Sequence, residues 1–268
     1  MVRGATATAA GALVAMLAAL LGASPPPAGA QGLAPGDRRP DLDLLGPETR
    51  AMQEDDALNP GMLWVLDGEE LWGRPAGPDG RSCADCHGDA RESMAGVAAR
   101  HPAFDAGRQR PVTLEGRVQA CREERQGVPA SPPESRERLA LVAYVAHQSR
   151  GTPVTAGSDE RLRPFLARGQ GLFERRRGQL DLSCADCHDR RWGQRLGGSV
   201  IPQAHPTGYP LYRLEWQGLG SLQRRLRNCM AGVRAEPYAF DSPEHVDLEV
   251  DLTWRARGLL VETPGVRP

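Results

Sequence analysis

The chain has 268 residues, a formal net charge of −1 at pH 7 and only 5% aromatic residues. A charge balance this even excludes the strong positive field with which proteins bind nucleic acid. The length is too great for one small domain and suits two domains of ~100–150 residues behind a short leader.

The first 30 residues have the pattern of a secretory signal peptide. Arg3 supplies the positive charge, residues 11–21 form an apolar run, and Ala28-Gly29-Ala30 is a small-residue cleavage site. The apolar run is about half of the ~20 residues that span a bilayer. We therefore expect residues 1–30 to be cleaved, the mature chain to lie in the periplasm, and no membrane span to remain.

Two identical pentapeptides, Cys83–His87 and Cys184–His188, read Cys-Ala-Asp-Cys-His. C-x-x-C-H is the attachment motif of a c-type haem, in which both cysteines form thioethers and the histidine binds the iron. The pattern predicts two covalent haems. The thioether residues are Cys83, Cys86, Cys184 and Cys187, and the proximal iron ligands are His87 and His188.

The segments that precede the two motifs are also alike. Glycine, leucine and a large aromatic residue stand 15, 12 and 11 positions before the first cysteine of each motif. These residues are Gly68, Leu71 and Trp72 in the first copy and Gly169, Leu172 and Phe173 in the second. The repeat predicts a helix before each motif and a duplication of whole domains.

We therefore predict a mainly α fold of two tandem cytochrome c-type domains, with long irregular loops around covalently bound haems. The first domain takes residues 31–150, including an N-terminal arm or loose helix over 31–60, and the second takes 151–268.

Three segments outside the motifs also carry predictions. Residues 134–148 have apolar positions at helical spacing on one face, and Gly151 follows as a C-cap. Residues 244–258 alternate with the period of a strand, but a cytochrome domain ends with a helix, so we predict a helix there. Glycine and proline in 191–210 predict irregular backbone around the second haem.

Two cysteines, Cys121 and Cys229, belong to neither motif. Three interpretations are open: a disulfide between them, since the compartment is oxidising, two unrelated buried thiols, or one distal iron ligand for each haem. One extra cysteine after each motif favours the third. A thiolate ligand stabilises ferric iron and lowers the haem potential, in contrast to methionine.

Six other residues could also bind iron, but each alone is more typical of an ordinary core or surface residue. They are Met94, His101, His147, His205, Met230 and His245.

Three arginines stand within five residues of Cys229. Such a run is often only a solvated surface, but cations also favour the nucleophilic thiolate and attract small oxyanions. On a helix, Arg225 lies one turn before Cys229 and shares its face, whereas Arg224 and Arg227 point elsewhere. Arg225 is therefore the candidate anion-binding residue.

Several longer segments resemble the SoxA family of sulfur-oxidation cytochromes. They are HPTGYPLYRLEWQGLGSLQRRLRNCM (205–230), WRARGLLVETPGVRP (254–268), VQACR (118–122) and AYVAHQSRG (143–151), beside the two haem motifs. The resemblance covers nearly all of the mature chain. It implies the dihaem subunit of a SoxAX heterodimer, an L-cysteine S-thiosulfotransferase with a SoxX-type monohaem cytochrome as its partner.

The resemblance also implies the reaction and the residues that perform it. Thiosulfate is joined oxidatively to a cysteine of the SoxY carrier protein within SoxYZ, and two electrons pass to a cytochrome c. Cys121 is expected to be the distal ligand of the first iron and Cys229 that of the second. Cys229 is also the expected catalytic residue, carrying a persulfide, and Arg225 is expected to bind the substrate.

Two other functions fit a dihaem cytochrome. A dihaem thiosulfate dehydrogenase joins two thiosulfates into tetrathionate and needs no carrier protein. A plain electron-transfer cytochrome has no substrate, and the pairing of Cys229 with Arg225 argues against it.

Overall fold

The computed structural model of the chain describes Met1 and residues 35–268. Beyond Met1, the predicted signal segment lies outside the described residues. Residues Gly32–Pro268 form one compact unit. No helix in the described part of the chain is long and apolar enough to cross a membrane.

The regular structure is mainly helical, as predicted. The α-helices, in chain order, are α1 (Pro47–Glu54), α2 (Met62–Gly73), α3 (Cys83–His87), α4 (Ala90–Ser93), α5 (Leu114–Cys121), α6 (Arg136–His147), α7 (Arg163–Glu174), α8 (Cys184–His188), α9 (Leu222–Gly232) and α10 (Pro243–Arg255). Helix α5 continues as one π-helical turn over Arg122–Gln126.

The strands are short and form three small sheets. They are β1 (Ala103–Asp105), β2 (Arg110–Val112), β3 (Arg195–Leu196), β4 (Ser199–Val200), β5 (Leu211–Arg213), β6 (Gly218–Gly220) and β7 (Gly265–Arg267). Strands β1 and β2 pair antiparallel, as do β3 and β4. In the third sheet β5 is central, antiparallel to β6 and parallel to β7.

Each haem motif folds as a five-residue helix that begins with the same cap. The Ser82 hydroxyl accepts from the Asp85 N–H at 3.1 Å, and the Asp85 carboxylate accepts from the Ser82 N–H at 2.7 Å. Ser183 and Asp186 repeat this capping box at 3.1 and 2.9 Å. The cap stabilises a helix too short to persist alone. This gives the aspartate of each Cys-Ala-Asp-Cys-His motif a structural role.

The predicted helices before the motifs are confirmed as α2 and α7, and the repeated glycine explains how they pack. Helix α2 lies against α6, and α7 lies against α10. A Cβ at Gly68 would lie 2.2 Å from the Ala140 carbonyl oxygen, and one at Gly169 would lie 2.1 Å from that of Asp247. Only glycine permits this backbone contact. The glycine is therefore repeated in the sequence because the same helix crossing occurs twice in the structure.

The helix predicted over 134–148 is α6, and the one predicted over 244–258 is α10. The apolar face predicted for α6 is buried, and its other faces are buried as well, because every residue from Leu139 to Ala146 is at most 6% exposed. Helix α10 is also enclosed, with Leu248, Val250 and Leu252 at most 2% exposed. An enclosed helix has apolar residues on several faces, which explains the misleading strand-like alternation.

The two ends of the described chain meet. The arm over 31–60 contains α1, and the Gln53 side chain of α1 accepts a hydrogen bond of 2.9 Å from the Val266 N–H in β7. The segment 191–210 carries only the β3–β4 hairpin and is otherwise irregular. The predicted domain boundary at 150/151 stays a prediction.

Candidate functional site

Three of the predicted residues of the second haem site line one cavity of about 410 Å³. His188 on α8 and both Arg225 and Cys229 on α9 face it, although the motif and Cys229 are 41 residues apart in sequence. The remaining walls come from the arm near Asp41, the loop before β5, and the chain end after β7. The fold thus places a histidine, a thiol and a cation around one space.

His188 has the second partner that an iron-binding imidazole requires. Its Nδ1 lies 2.7 Å from the Pro202 carbonyl oxygen, so Nδ1 donates and Nε2 is left to bind a metal. Burial lowers the pKa of His188, which favours the neutral ring that coordinates iron. The Phe173 ring, one of the repeated aromatic positions, lies beside it with centroids 6.5 Å apart.

Cys229 lies near both cysteines of the second motif. Burial raises the pKa of Cys184 to about 12, and the negative charge of Cys229 adds to the shift. The same charge adds to the burial that raises the pKa of Cys187. No two of the six cysteines form a disulfide, so the Cys121–Cys229 bridge considered from the sequence is absent from the structure.

The three arginines of α9 separate as the helical period predicts. Arg224 stacks on the Trp216 ring at 4.1 Å, and Arg227 lies 4.7 Å over the Phe240 ring and donates to the Tyr238 carbonyl oxygen. Arg225 lines the cavity with Cys229 and makes no salt bridge with any described residue. It is therefore the arginine of this run that can meet an anion in the cavity.

Charge keeps the Arg225 guanidinium protonated inside the cavity. Burial lowers the pKa of this guanidinium. The negative charges of the neighbouring Cys229 and Tyr209 raise it by more, so the net shift of the pKa is upward. A half-buried guanidinium without a fixed partner favours the binding of an anion beside it. The arrangement suits a small oxyanion held beside the Cys229 sulfur.

Sequence reasoning missed other polar residues of the cavity, among them Asp41, Tyr209, Arg213 and Arg267. They come from segments far apart in the chain, and β5 and β7 bring Arg213 opposite Arg267 in register. No local motif marks them. The residues 205–213 do lie within the segment that resembles SoxA, which is the one signal that could have directed attention to them.

His205, one of the lone histidines in the sequence, also lines the cavity. It is 2% exposed, its Nδ1 lies 2.9 Å from the Arg39 carbonyl oxygen, and its buried Nε2 has no partner among the described residues. Burial lowers the pKa of His205 to about 4, so the ring is neutral at pH 7.

The donor set fits a haem at the second motif. A neutral imidazole oriented by a carbonyl and a thiol on the facing helix line one cavity, and two further thiols belong to the same short helix as the imidazole. This is the chemistry of covalent attachment with histidine and cysteine as axial ligands.

The first motif is arranged in a similar way but is more open. His87 and Cys86 are exposed, and the His87 ring lies 5.7 Å from that of Trp72. Cys121 is the last residue of α5 and lies near the motif. Burial raises the pKa of Cys83, and the charge of Cys121 raises it further. Burial also raises the pKa of Cys121, and the charge of Cys86 adds to that shift. Cys121 is thus beside the motif of its own half.

The other lone candidates have structural surroundings. Met94 packs against the core of the first half, and Met230 is 7% exposed in the core of the second. His101 and His245 each lie 2.8 Å from a carbonyl oxygen of their own segment. In the described part of the chain, no group of three His, Cys, Asp or Glu side chains could hold a separate metal ion.

Known proteins resemble this chain over most of its length. A family model described as SoxA/TsdA, cytochrome c domain, matches residues 67–154. The L-cysteine S-thiosulfotransferase subunit SoxA of Pseudaminobacter salicylatoxidans is 41% identical over 222 residues, covering 82% of this chain and 77% of that protein. The chain belongs to the SoxA family.

Further SoxA proteins agree with this assignment. The subunit from Rhodovulum sulfidophilum is 36% identical, over 82% of this chain and 77% of its own. The crystal structure of SoxXA from P. pantotrophus superposes with a TM-score of 0.83 at 32% identity, covering 86% of this chain and 87% of that one. As a SoxA-family cytochrome the chain carries c-type haem.

Proposed function

We propose that this SoxA-family chain is the catalytic dihaem subunit of a heterodimeric thiosulfotransferase that joins thiosulfate to a cysteine of the SoxY carrier. The observation that carries the proposal is the shared cavity of His188, Arg225 and Cys229. The relatives named as L-cysteine S-thiosulfotransferase subunits support it.

Two c-type haems are the proposed cofactors. Cys83 and Cys86 hold the first, with His87 and Cys121 on its iron. The second is attached through Cys184 and Cys187, with His188 and Cys229 on its iron. When bound, haem supplies a one-electron redox centre, and axial thiolate lowers its potential.

The proposed reaction balances as follows. A carrier thiol and thiosulfate, S₂O₃²⁻, give a carrier-bound S–S–SO₃⁻ group with the loss of one proton and two electrons. Arg225 holds the sulfonate end by charge-assisted hydrogen bonds. The persulfide sulfur on Cys229 first forms the new S–S bond to thiosulfate, and the carrier thiolate then displaces the Cys229 persulfide by exchange. The two electrons pass to a cytochrome c.

The partners and location follow from the same proposal. The SoxXA complex that superposes on this chain supports a SoxX-type monohaem cytochrome as the second subunit. SoxYZ, thiosulfate and a cytochrome c electron acceptor complete the set. We place the mature protein in the periplasm, because the leader predicts export and haem attachment in bacteria occurs there.

Replacement of Cys229 by alanine tests the proposal. In the haem-loaded heterodimer, Cys229→Ala removes the sulfur that accepts thiosulfate and transfers it to the carrier. Conjugation of thiosulfate to SoxYZ should therefore fall below about a thousandth of the wild-type rate. Mass spectrometry of the carrier measures the product. Cys121→Ala is the matched control, since it removes the other extra cysteine and should leave conjugation measurable.

Two outcomes would contradict the proposal. Persistent conjugation by Cys229→Ala with full haem content would exclude Cys229 as the transferring sulfur. Tetrathionate formed by the wild-type protein without SoxYZ would instead assign the chain as a thiosulfate dehydrogenase.

A further inference from the structure

Three arginines from different elements line the cavity that contains Cys229, and two of them are buried while Arg225 is half-buried. Arg225 comes from α9, while Arg213 and Arg267 stand opposite each other on the parallel strands β5 and β7. Arg213 is 9% exposed and Arg267 is 8% exposed. Like charges directly opposite on paired strands are destabilising, so their retention requires compensation.

Arg267 is compensated by its neighbours. Its Nη2 donates to the Glu262 carboxylate at 2.9 Å, and its Nη1 donates to the Val266 carbonyl oxygen at 2.8 Å and to the Gln53 side chain. The guanidinium is therefore committed to a buried ion pair, and it has little capacity for a ligand.

Arg213 and Arg225 are not compensated in this way. The Nε of Arg213 lies 2.8 Å from Glu215, whose side chain is 50% exposed, and its Nη atoms have no acceptor among the described residues. Arg225 has no side-chain hydrogen bond there either. Arg213 and Arg225 line the same cavity. Burial lowers the pKa of Arg213, and the charge of Arg225 lowers it further.

We propose that Arg213 and Arg225 bind a single oxyanion together, with Arg213 as the second, unassigned residue of the anion site. Two guanidinium forks match an anion with several terminal oxygens. The sulfonate end of thiosulfate has this chemistry, and so does a haem propionate. Thiosulfate as the anion rests on the proposed function, whereas the two-arginine site itself does not.

The test compares Arg213→Gln, Arg225→Gln and the double variant in the haem-loaded heterodimer. Two readouts are needed: the KM for thiosulfate with SoxYZ as acceptor, and the haem reduction potential by spectroelectrochemistry. With thiosulfate as the anion, each single variant should raise the KM about tenfold, because each removes one hydrogen bond to a charged group. In the double variant, the KM should rise by less than the product of the two single increases, because both residues bind the same ligand.

Two further variants separate ligand binding from a structural role. Arg213→Lys keeps the charge without the bidentate fork, so its KM should lie between those of wild type and Arg213→Gln. Arg227→Gln is the matched control: it removes an arginine that lies over the Phe240 ring outside the cavity, and it should leave both readouts unchanged.

The readouts also identify the anion and allow the proposal to fail. If both single variants shift the haem potential and leave the KM unchanged, the shared anion is a haem propionate. The proposal is overturned if the two variants affect different readouts, or if Arg213→Gln affects neither. If the wild-type enzyme is inactive towards SoxYZ, the proposed function is rejected. The haem potentials are measured without turnover, so they still test the two-arginine site in that case.

Discussion

At the residue scale, the proposed chemistry depends on Arg225 and Cys229, one helical turn apart on α9. Both face the cavity of His188, whereas Arg224 and Arg227 are held by aromatic rings outside it. One face of one helix therefore combines a cation with a sulfur, beside the histidine that we propose as an iron ligand.

The first haem site yields a prediction that separates its distal ligand from the catalytic one. Cys121→Met replaces the proposed thiolate ligand by a thioether, which stabilises ferrous iron, so the potential of one haem should rise. Spectroelectrochemical titration of the purified heterodimer measures both haems. The other haem should keep its potential, and the KM for thiosulfate should be unchanged. Unchanged potentials at both haems would show that Cys121 is not an iron ligand.

The site residues that could be predicted from the sequence lie in local patterns, whereas those that could not are brought to the site by tertiary contacts. The haem motifs, Cys229 and Arg225 are visible because each lies in a local pattern, either a pentapeptide or a helical period. Arg213 and Asp41 enter the same cavity from a strand and from the N-terminal arm. Their position depends on tertiary pairing, which no local spacing records.

At the element scale, two helix crossings of the same design position the two haem motifs. Gly68 allows α2 to contact the backbone of α6, and Gly169 allows α7 to contact that of α10. The repeated glycine was visible in the sequence, but its cause was not, because the partner carbonyls lie more than seventy residues away.

Alanine at the crossing should therefore be far more harmful than alanine elsewhere in the same helix. Gly169→Ala places a Cβ 2.1 Å from the Asp247 carbonyl oxygen, so the free energy of unfolding should fall by at least about 2 kcal/mol. Gly171→Ala, with no atom within 4 Å of its Cβ, should raise it by ~0.5–1 kcal/mol. Chemical denaturation of the haem-loaded protein measures both. Equal effects would contradict the crossing as the cause.

The long central helices show where periodicity fails as a guide. Helices α6 and α10 are buried on nearly every side, so apolar residues are not confined to one face. For α10 the alternation suggested a strand, and only the expected place of a helix in a cytochrome domain gave the correct prediction. An enclosed element carries little information about its own period.

At the scale of the whole molecule, residues from both halves of the chain line a small cavity of about 80 Å³. His101 from the first half and Thr207 and Glu249 from the second line it. Burial raises the pKa of Glu249 to about 8, with the charges of Glu115 and Asp241 adding to the shift. The native state therefore favours the protonated carboxyl at neutral pH.

This predicts a loss of stability as the pH rises. Between the unfolded pKa near 4.5 and about 8, the folded chain binds the proton more tightly than the unfolded chain. The contribution is thus complete below pH 4.5 and disappears as the pH passes 8. Thermal denaturation between pH 5 and 9 should show a falling Tm, with a smaller fall for Glu249→Gln. An identical slope in the variant would exclude Glu249 as a source.

The family assignment and the cavity support one central claim: the sulfur that binds the second iron also transfers sulfur. Mass spectrometry of the purified mature protein, with peptide mapping, tests this claim most directly. We expect two covalently bound haems and, on the peptide that contains Cys229, the added mass of one sulfur atom. A peptide pair joined by a Cys121–Cys229 disulfide, or a protein with fewer than two haems, would contradict the account.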